Sequence, residues 1–222
     1  MHLREEGFMI NKKRVHRLMK MLGIQSVTPK SNTSAPARDN RKFPYLLKGL
    51  PIYKPNQVWT IDITYIRLPT GMVYLFALID WYSRYVVGWT LANTMCSEHA
   101  VCTLEKALRH GMSEICNADQ GSQFTSDDWI ESLTLNGIRI SHDGVGRCID
   151  NIRIERFWRT LKHEDMHIKD YRNVTEARVG IAEFITYYNN ERPHQALQYN
   201  RPRDAYLCSW RHRVLPETTA AA

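Results

Sequence analysis

The chain has 222 residues, a formal net charge of +7 and 43% apolar residues, enough for one domain of ordinary size with a core plus appendages. No apolar run approaches the roughly 18–20 residues that span a bilayer, and the N-terminus lacks the apolar stretch and cleavage site of a secretory signal. Its five cysteines, Cys96, Cys102, Cys116, Cys148 and Cys208, include no Cys-x-x-Cys pair, which argues against a disulfide framework or a cysteine zinc site and fits a reducing cytoplasm.

Charge is unevenly placed. Residues 1–54 carry twelve Lys/Arg against three Asp/Glu, a net of +9, and residues 55–222 carry eighteen against twenty, a net of −2. The basic character therefore belongs to an N-terminal arm, which attracts phosphate by a salt-dependent, sequence-independent term. A solvated leader is the plainer alternative.

In chain order, Asn11 is placed to cap a helix running to about Leu22, with Gly23 as its stop. Val15, Leu18, Met19 and Leu22 fall at i, i+3, i+4 and i+7 and make one apolar stripe. Lys12, Lys13, Arg14, Arg17 and Lys20 cover much of the remainder. Residues 1–25 thus read as a basic amphipathic helix that either meets DNA or packs on the core. Residues 26–54 read as a basic linker, 55–210 as the main domain and 211–222 as a tail.

The main domain opens with strands. Val58–Arg67, Val73–Asp80 and Tyr85–Leu91 are strand-like, with a turn at Pro69-Thr70-Gly71. Ser97–His110 is helical with Ser97 as its cap, and Glu114–Asn117 is a short strand. Ser126–Asn136 is helical and Arg139–Ser141 a fifth strand. The two glycines in Asp143–Arg147 suggest a mobile loop. Asn151–His163 and Thr175–Asn190 are further helices, with Asp150 as an N-cap of the first. Three antiparallel-type strands followed by alternating helix and strand is the order of an α/β, ribonuclease-H-like fold: a five-stranded mixed sheet flanked by helices, here with a short basic helical N-terminal arm.

Three carboxylates stand out. Asp62 interrupts the strand Val58-Trp59-Thr60-Ile61-Asp62-Ile63-Thr64, Asp119 follows a strand in Asn117-Ala118-Asp119-Gln120-Gly121-Ser122-Gln123-Phe124, and Glu155 lies on a helix thirty-five residues beyond Asp119. A charge inside a buried strand is costly without a partner. For Asp62 that partner is a metal ion or a salt bridge. Asp119 either joins a site or caps the next helix, with Gly121 permitting a tight turn. Glu155 shares a helix face with Arg159 and Lys162, so an exposed Glu155–Arg159 ion pair is the plainer alternative. Three acidic groups brought together repel one another unless a cation joins them, and oxygen ligands of this kind suit Mg²⁺ or Mn²⁺. Asp80, Asp127, Asp128 and Asp143 are read as structural, Asp80 through Ser83 or Arg84.

These segments, with Asp150-Asn151 before Glu155 and Glu191-Arg192-Pro193-His194-Gln195-Ala196-Leu197, resemble the D,D(35)E pattern of DDE transposases and retroviral-type integrases. In detail they resemble the second-frame transposase of the IS3 insertion-sequence family, from about Lys12 to about Tyr206. Asn117-Ala118 and Ile152-Arg153-Ile154 depart from common family wording. The resemblance implies a DNA transposase that cleaves an element end and transfers the strand. Asp62, Asp119 and Glu155 would be catalytic and would hold two ions per site, Mg²⁺ or Mn²⁺. Lys162, Arg159, Lys12, Lys13 and Arg17 would contact DNA. Implied partners are element-end and target DNA, further copies of the chain on paired ends, and the first-frame product, with a bacterial, nucleoid-associated location and no membrane. The family sequence normally continues upstream of Met1, so a non-catalytic remnant that binds DNA is the alternative. A ribonuclease-H-like nuclease acting on RNA or branched DNA is a third.

Overall fold

The computed structural model describes residues 7, 11–22, 43–143 and 152–211. The chain separates into two compact units, Met1–Arg38 and Asp39–Ala222. In the first, helix α1 spans Lys12–Met21, and the Asn11 side chain caps it by accepting a hydrogen bond from the Lys13 N–H at 3.0 Å. Lys13, Arg14 and Arg17 are exposed. Leu18, Met21 and Leu22 are exposed as well. Gly23 lies outside the described residues.

The second unit is built on one five-stranded sheet. Its strands are β1 (Val58–Leu68), β2 (Gly71–Asp80), β3 (Val86–Ala92), β4 (Ile115–Ala118) and β5 (Arg139–His142). Their spatial order is β3-β2-β1-β4-β5. The pairs β1–β2 and β2–β3 are antiparallel, whereas β1–β4 and β4–β5 are parallel.

Period-two alternation sends side chains to two apolar layers. On one face Trp59, Ile61, Phe76 and Leu78 pack with α2 (Ser97–Leu108) and α3 (Asp127–Leu135), through Ala100, Leu104, Trp129 and Leu133. On the other, Ile66, Leu75, Ala77 and Ile79 pack with α4 (Ile152–Leu161) and α5 (Val174–Asn190), through Ile154, Phe157, Leu161, Ile181 and Tyr188. Residues 43–54, part of the stretch expected as linker, belong by contact to this unit. Leu47 is buried with Val58, Trp81 and Ile115, and Tyr45, Leu46, Leu50 and Ile52 pack around them.

Several local devices hold the ends. Ser126 caps α3 by accepting from Trp129 N–H, and Asn173 caps α5 by accepting from Glu176 N–H. The expected cap Ser97 is instead the first helical residue; Cys96 occupies the capping position and makes no side-chain cap bond. Helix α4 does not stop at His163. It runs on through a π-helical stretch, Lys162–Met166, and a last turn, His167–Lys169. It ends at Asp170, whose φ of 44° is left-handed, as helix ends commonly require. At the start of β3 the Asn189 amide accepts from Val86 N–H (2.9 Å) and donates to Val86 C=O (3.0 Å). A side chain thereby satisfies strand groups beside the register shift at Leu78/Ile79.

Helix α2 approaches β3 closely because position 88 is glycine. A Cβ there would lie 2.5 Å from the Thr103 carbonyl oxygen, a backbone atom that cannot turn aside. Gly88→Ala should therefore destabilise the fold by about 1–3 kcal/mol, read as a lowered midpoint in urea denaturation with unchanged slope.

Candidate active site

Strand pairing brings the two aspartates to the same level. β1 and β4 run parallel with Thr60 opposite Asn117, so Asp62 and Asp119 each follow that pair by two residues. Asp62 stays within β1, and Asp119 is the first residue after β4. Asp62 is half-buried and faces the layer of α4 and α5, whereas Asp119 and Glu155 are exposed. Glu155 lies in the first turn of α4.

The Asp62 carboxylate has a partner that neither sequence alternative contained. The Trp158 indole N–H donates to Asp62 Oδ2 at 2.8 Å. Trp158 follows Glu155 by three residues on α4, so one side chain ties the Glu155 helix to the central strand. At helical spacing Trp158 reads as an ordinary core residue, and its ring is indeed buried against Phe157, with centroids 5.0 Å apart. Only the fold shows where its N–H points.

Asp119 does not cap α3. Its Oδ1 accepts from Gly121 N–H at 2.9 Å. A Cβ on Gly121 would meet that same oxygen at 2.9 Å and Gln123 Oε1 at 3.0 Å. The glycine is needed for close approach, not for a left-handed backbone. Beside it, Asn117 Nδ2 donates to Asp143 Oδ1 (2.8 Å) and Gln120 Nε2 donates to Asp143 C=O (3.0 Å). Asn117, a departure from family wording, thus anchors the segment that leads toward α4. The loop expected after Asp143 and the proposed cap Asp150 lie outside the described residues.

Electrostatically the three groups sense one another. Burial pushes the Asp62 carboxyl from its ordinary 3.8 up to about 6, the negative charges of Asp119 and Glu155 add to that, and the hydrogen bonds from Trp158 and the Ile63 backbone oppose it. Asp62 is thus a desolvated carboxylate in a field of its own sign. Among the described residues no three His, Cys, Asp or Glu side chains form a ready-made metal cluster. Repulsion between carboxylates works against one. The candidate donors are hard carboxylate oxygens, and their chemistry fits a divalent cation such as Mg²⁺.

The remaining candidates separate. Arg159 is exposed and Lys162 half-buried, one turn and two turns beyond Glu155, with Lys162 opening the π-helical stretch. Lys13 and Arg17 are exposed on α1 in the other unit, and the Lys12 side chain lies outside the described residues. Asp80 is structural, as expected. It is fully buried, accepting from Ser83 N–H (2.8 Å) and Ser83 Oγ–H (2.6 Å) through Oδ1 and from Asn56 N–H (2.8 Å) through Oδ2.

Two integrase core domain models match residues 52–148 and 136–202, and an HTH-like domain model matches residues 1–32. The chain is 34% identical over 212 residues to the transposase for insertion sequence element IS904 of Lactococcus lactis subsp. lactis (strain IL1403), covering 91% of this chain and 83% of that protein. It is 30% identical to transposase InsF for insertion sequence IS3A of Escherichia coli (strain K12), covering 86% of this chain and 69% of that protein.

The chain belongs to the IS3 family of insertion-sequence transposases. Its biochemical class is therefore that of a DDE-type DNA transposase, a polynucleotidyl transferase acting in DNA integration. The matched integrase core spans contain Asp62, Asp119 and Glu155, and the non-catalytic remnant is not favoured. The sheet also superposes on the HTLV-2 integrase catalytic core domain, a structure in complex with magnesium, with a TM-score of 0.58 at 18% identity over 69% of this chain and 97% of that one. The BIV integrase catalytic core gives 0.59 at 14% identity over 72% of this chain and 99% of that one. The ribonuclease-H-like fold of the transposase is thereby established. No helix among the described residues is long and apolar enough to cross a membrane.

The raised Asp62 pKa has a signed consequence. Between pH 3.8 and about 6 the folded chain binds more protons at Asp62 than the unfolded chain does, so this group's contribution to stability is full below that window and lost above it. In metal-free buffer with EDTA, the loss should reach at most about 3 kcal/mol. Urea denaturation at pH 4 and pH 7 should show it in the wild-type chain and not in Asp62→Asn. Equal pH dependence in both would refute the burial of this charge.

Proposed function

We propose that Asp62, Asp119 and Glu155 are the catalytic residues of this transposase and that they hold two divalent ions, Mg²⁺ or Mn²⁺. What supports this is the parallel β1–β4 pairing that brings Asp62 and Asp119 to one level, together with the negative charges of Asp119 and Glu155, which reach Asp62 and add to the effect of its burial. Asp62 would serve both ions, with Asp119 on one and Glu155 on the other. Bound there, such ions activate an attacking oxygen and stabilise a leaving oxygen at phosphorus.

The chain's own residues set the stage for that chemistry. Asp62 is fixed by Trp158, so its position relative to the Glu155 helix does not drift. Asp119 is presented by a turn on which Gly121 leaves no side chain in the way. Arg159 and Lys162, beyond Glu155 on the same helix, would meet phosphates of the bound strand, as would Lys12, Lys13 and Arg17 on α1. Water would cleave the element end to free a 3′-hydroxyl, and that hydroxyl would attack a second phosphodiester in line. The partners are element-end and target DNA, other copies of the transposase on paired ends and the first-frame product of the same element, at the bacterial nucleoid.

A strand-transfer assay tests this. Labelled duplex ending in the flanking terminal repeats should be joined to target DNA in Mg²⁺ or Mn²⁺ and not in EDTA. Asp119→Asn and Glu155→Gln should each lower joining by about 10²–10³-fold, as the loss of several kcal/mol of transition-state stabilisation requires, while DNA binding persists. Joining that survives either substitution would exclude that residue from the catalytic set. Lys162→Ala should weaken DNA binding and reduce the salt dependence by about one phosphate contact.

A further inference from the structure

Helix α4 carries a second polar face, turned away from Glu155. Arg153, Arg156 and Thr160 recur at i, i+3 and i+7 and share it. With Arg84, Arg192 and His194 they line a cleft of about 580 Å³. Arg84 enters from the turn between β2 and β3, where its φ of 64° is left-handed, a conformation that costs a non-glycine residue of order 1 kcal/mol or more.

The cleft holds polar nitrogens without partners. Arg84 Nη1 is buried and has no hydrogen-bond partner among the described residues, and neither has His194 Nε2. The neighbouring carboxylates are already engaged. Glu164 is held in a two-bond fork by Arg192 (2.8 and 2.6 Å), and both Asp80 oxygens accept from Ser83 and Asn56. Burial, followed by the positive charge of Arg153, pushes the Arg84 guanidinium down to about 10, and Arg156 adds to the repulsion. A guanidinium with a buried, unpartnered nitrogen among like charges is costly. An anion with several oxygens, matched to arginine forks, relieves the unmade hydrogen bond and the repulsion together.

Resting on the reading of the chain as a DNA transposase, we infer that this cleft seats a phosphate group of the bound DNA strand, on the side of α4 away from the three carboxylates. Its volume lies within the range of sites that enclose a nucleotide-sized ligand. A strand held there and at the carboxylates would be gripped on two sides of one helix.

The test uses the full chain, EDTA to silence catalysis, and fluorescence anisotropy of a labelled element-end duplex between 50 and 200 mM KCl. Arg84→Gly removes the cation while relieving the left-handed backbone, and Arg156→Gln removes one from an exposed position. Arg178→Gln, outside the cleft on α5, controls for net charge. Each cleft variant should weaken binding about three- to tenfold and flatten the log Kd against log salt slope by about one, with Arg178→Gln at wild-type values. In a second arm, inorganic tripolyphosphate should raise the thermal midpoint of the wild-type chain and not of the cleft variants. Wild-type affinity and slope in both cleft variants overturn the inference. If tripolyphosphate protection is nonetheless lost in them, the cleft takes a free anion and not DNA. No measurable DNA binding by the wild-type chain overturns it too. Cleft-dependent binding by a wild-type chain that fails to join DNA would leave this inference standing and refute the active-site assignment instead.

Discussion

The hydrogen bond from Trp158 to Asp62 is the interaction on which the site's geometry depends. Asp62 sits in the middle of the central strand, facing an apolar layer, where a charge without a partner would be prohibitive. An indole suits this position because it offers one donor and no acceptor on a large apolar ring. The ring packs in the core with Phe157 while the N–H reaches the carboxylate. The same contact sets the height of α4 above the sheet. Glu155 lies one turn before Trp158, so its distance from Asp62 follows from that bond and from the rise of the helix.

The second aspartate is positioned by topology. A parallel β1–β4 pair carries the chain past the same level twice in one direction, and both strands deliver a carboxylate two residues after the Thr60–Asn117 pair. The two then diverge in environment. Asp62 remains in the sheet and is desolvated, while Asp119 has left it and bonds to the Gly121 backbone. The cost of desolvation therefore falls on Asp62, whose proton affinity burial raises and the nearby negative charges raise further. On the proposed reading, oxygen-seeking divalent ions would neutralise the negative charge gathered there.

What the sequence revealed and what it hid divide along a physical line. The strand-like runs Val58–Arg67 and Val73–Asp80, the cap at Asn11 and the spacing of Asp62, Asp119 and Glu155 are local patterns, and local patterns can be read. The role of Trp158 is not local, because an aromatic at i+3 on an apolar helix face gives no sign of where its N–H points. Residues 43–54 read as linker because of their prolines and lysines, yet Leu47 finds a buried slot beside Val58 that only the folded sheet creates. The cleft at Arg84 draws on a hairpin turn, helix α4, and the end of α5 with the segment that follows it, three stretches far apart in the chain. Even Gly121, correctly marked as a turn residue, matters for atomic clearance instead of backbone sign.

Charge placement explains why α4 has the composition it does. On the proposed active site, a polyanion must come against three carboxylates, and bulk charge does not draw it there, since residues 55–222 carry a net of −2. The attraction has to be local. Between Ile152 and Leu161 the helix contains Arg153, Arg156 and Arg159 around a single acid, Glu155. At 3.6 residues per turn, a spacing of three steps each arginine about 60° around the axis from the one before. The three therefore fan across the solvent side of the helix instead of stacking in one row, while Ile154, Phe157 and Leu161 keep the inner side buried. Screening confines such surface fields to about 10 Å at ordinary ionic strength, so cations must stand close to the reacting strand to matter. Arg153, Arg156 and Arg159 share α4 with Glu155, so on the proposed active site whatever positions Glu155 would also position the charges that meet the strand.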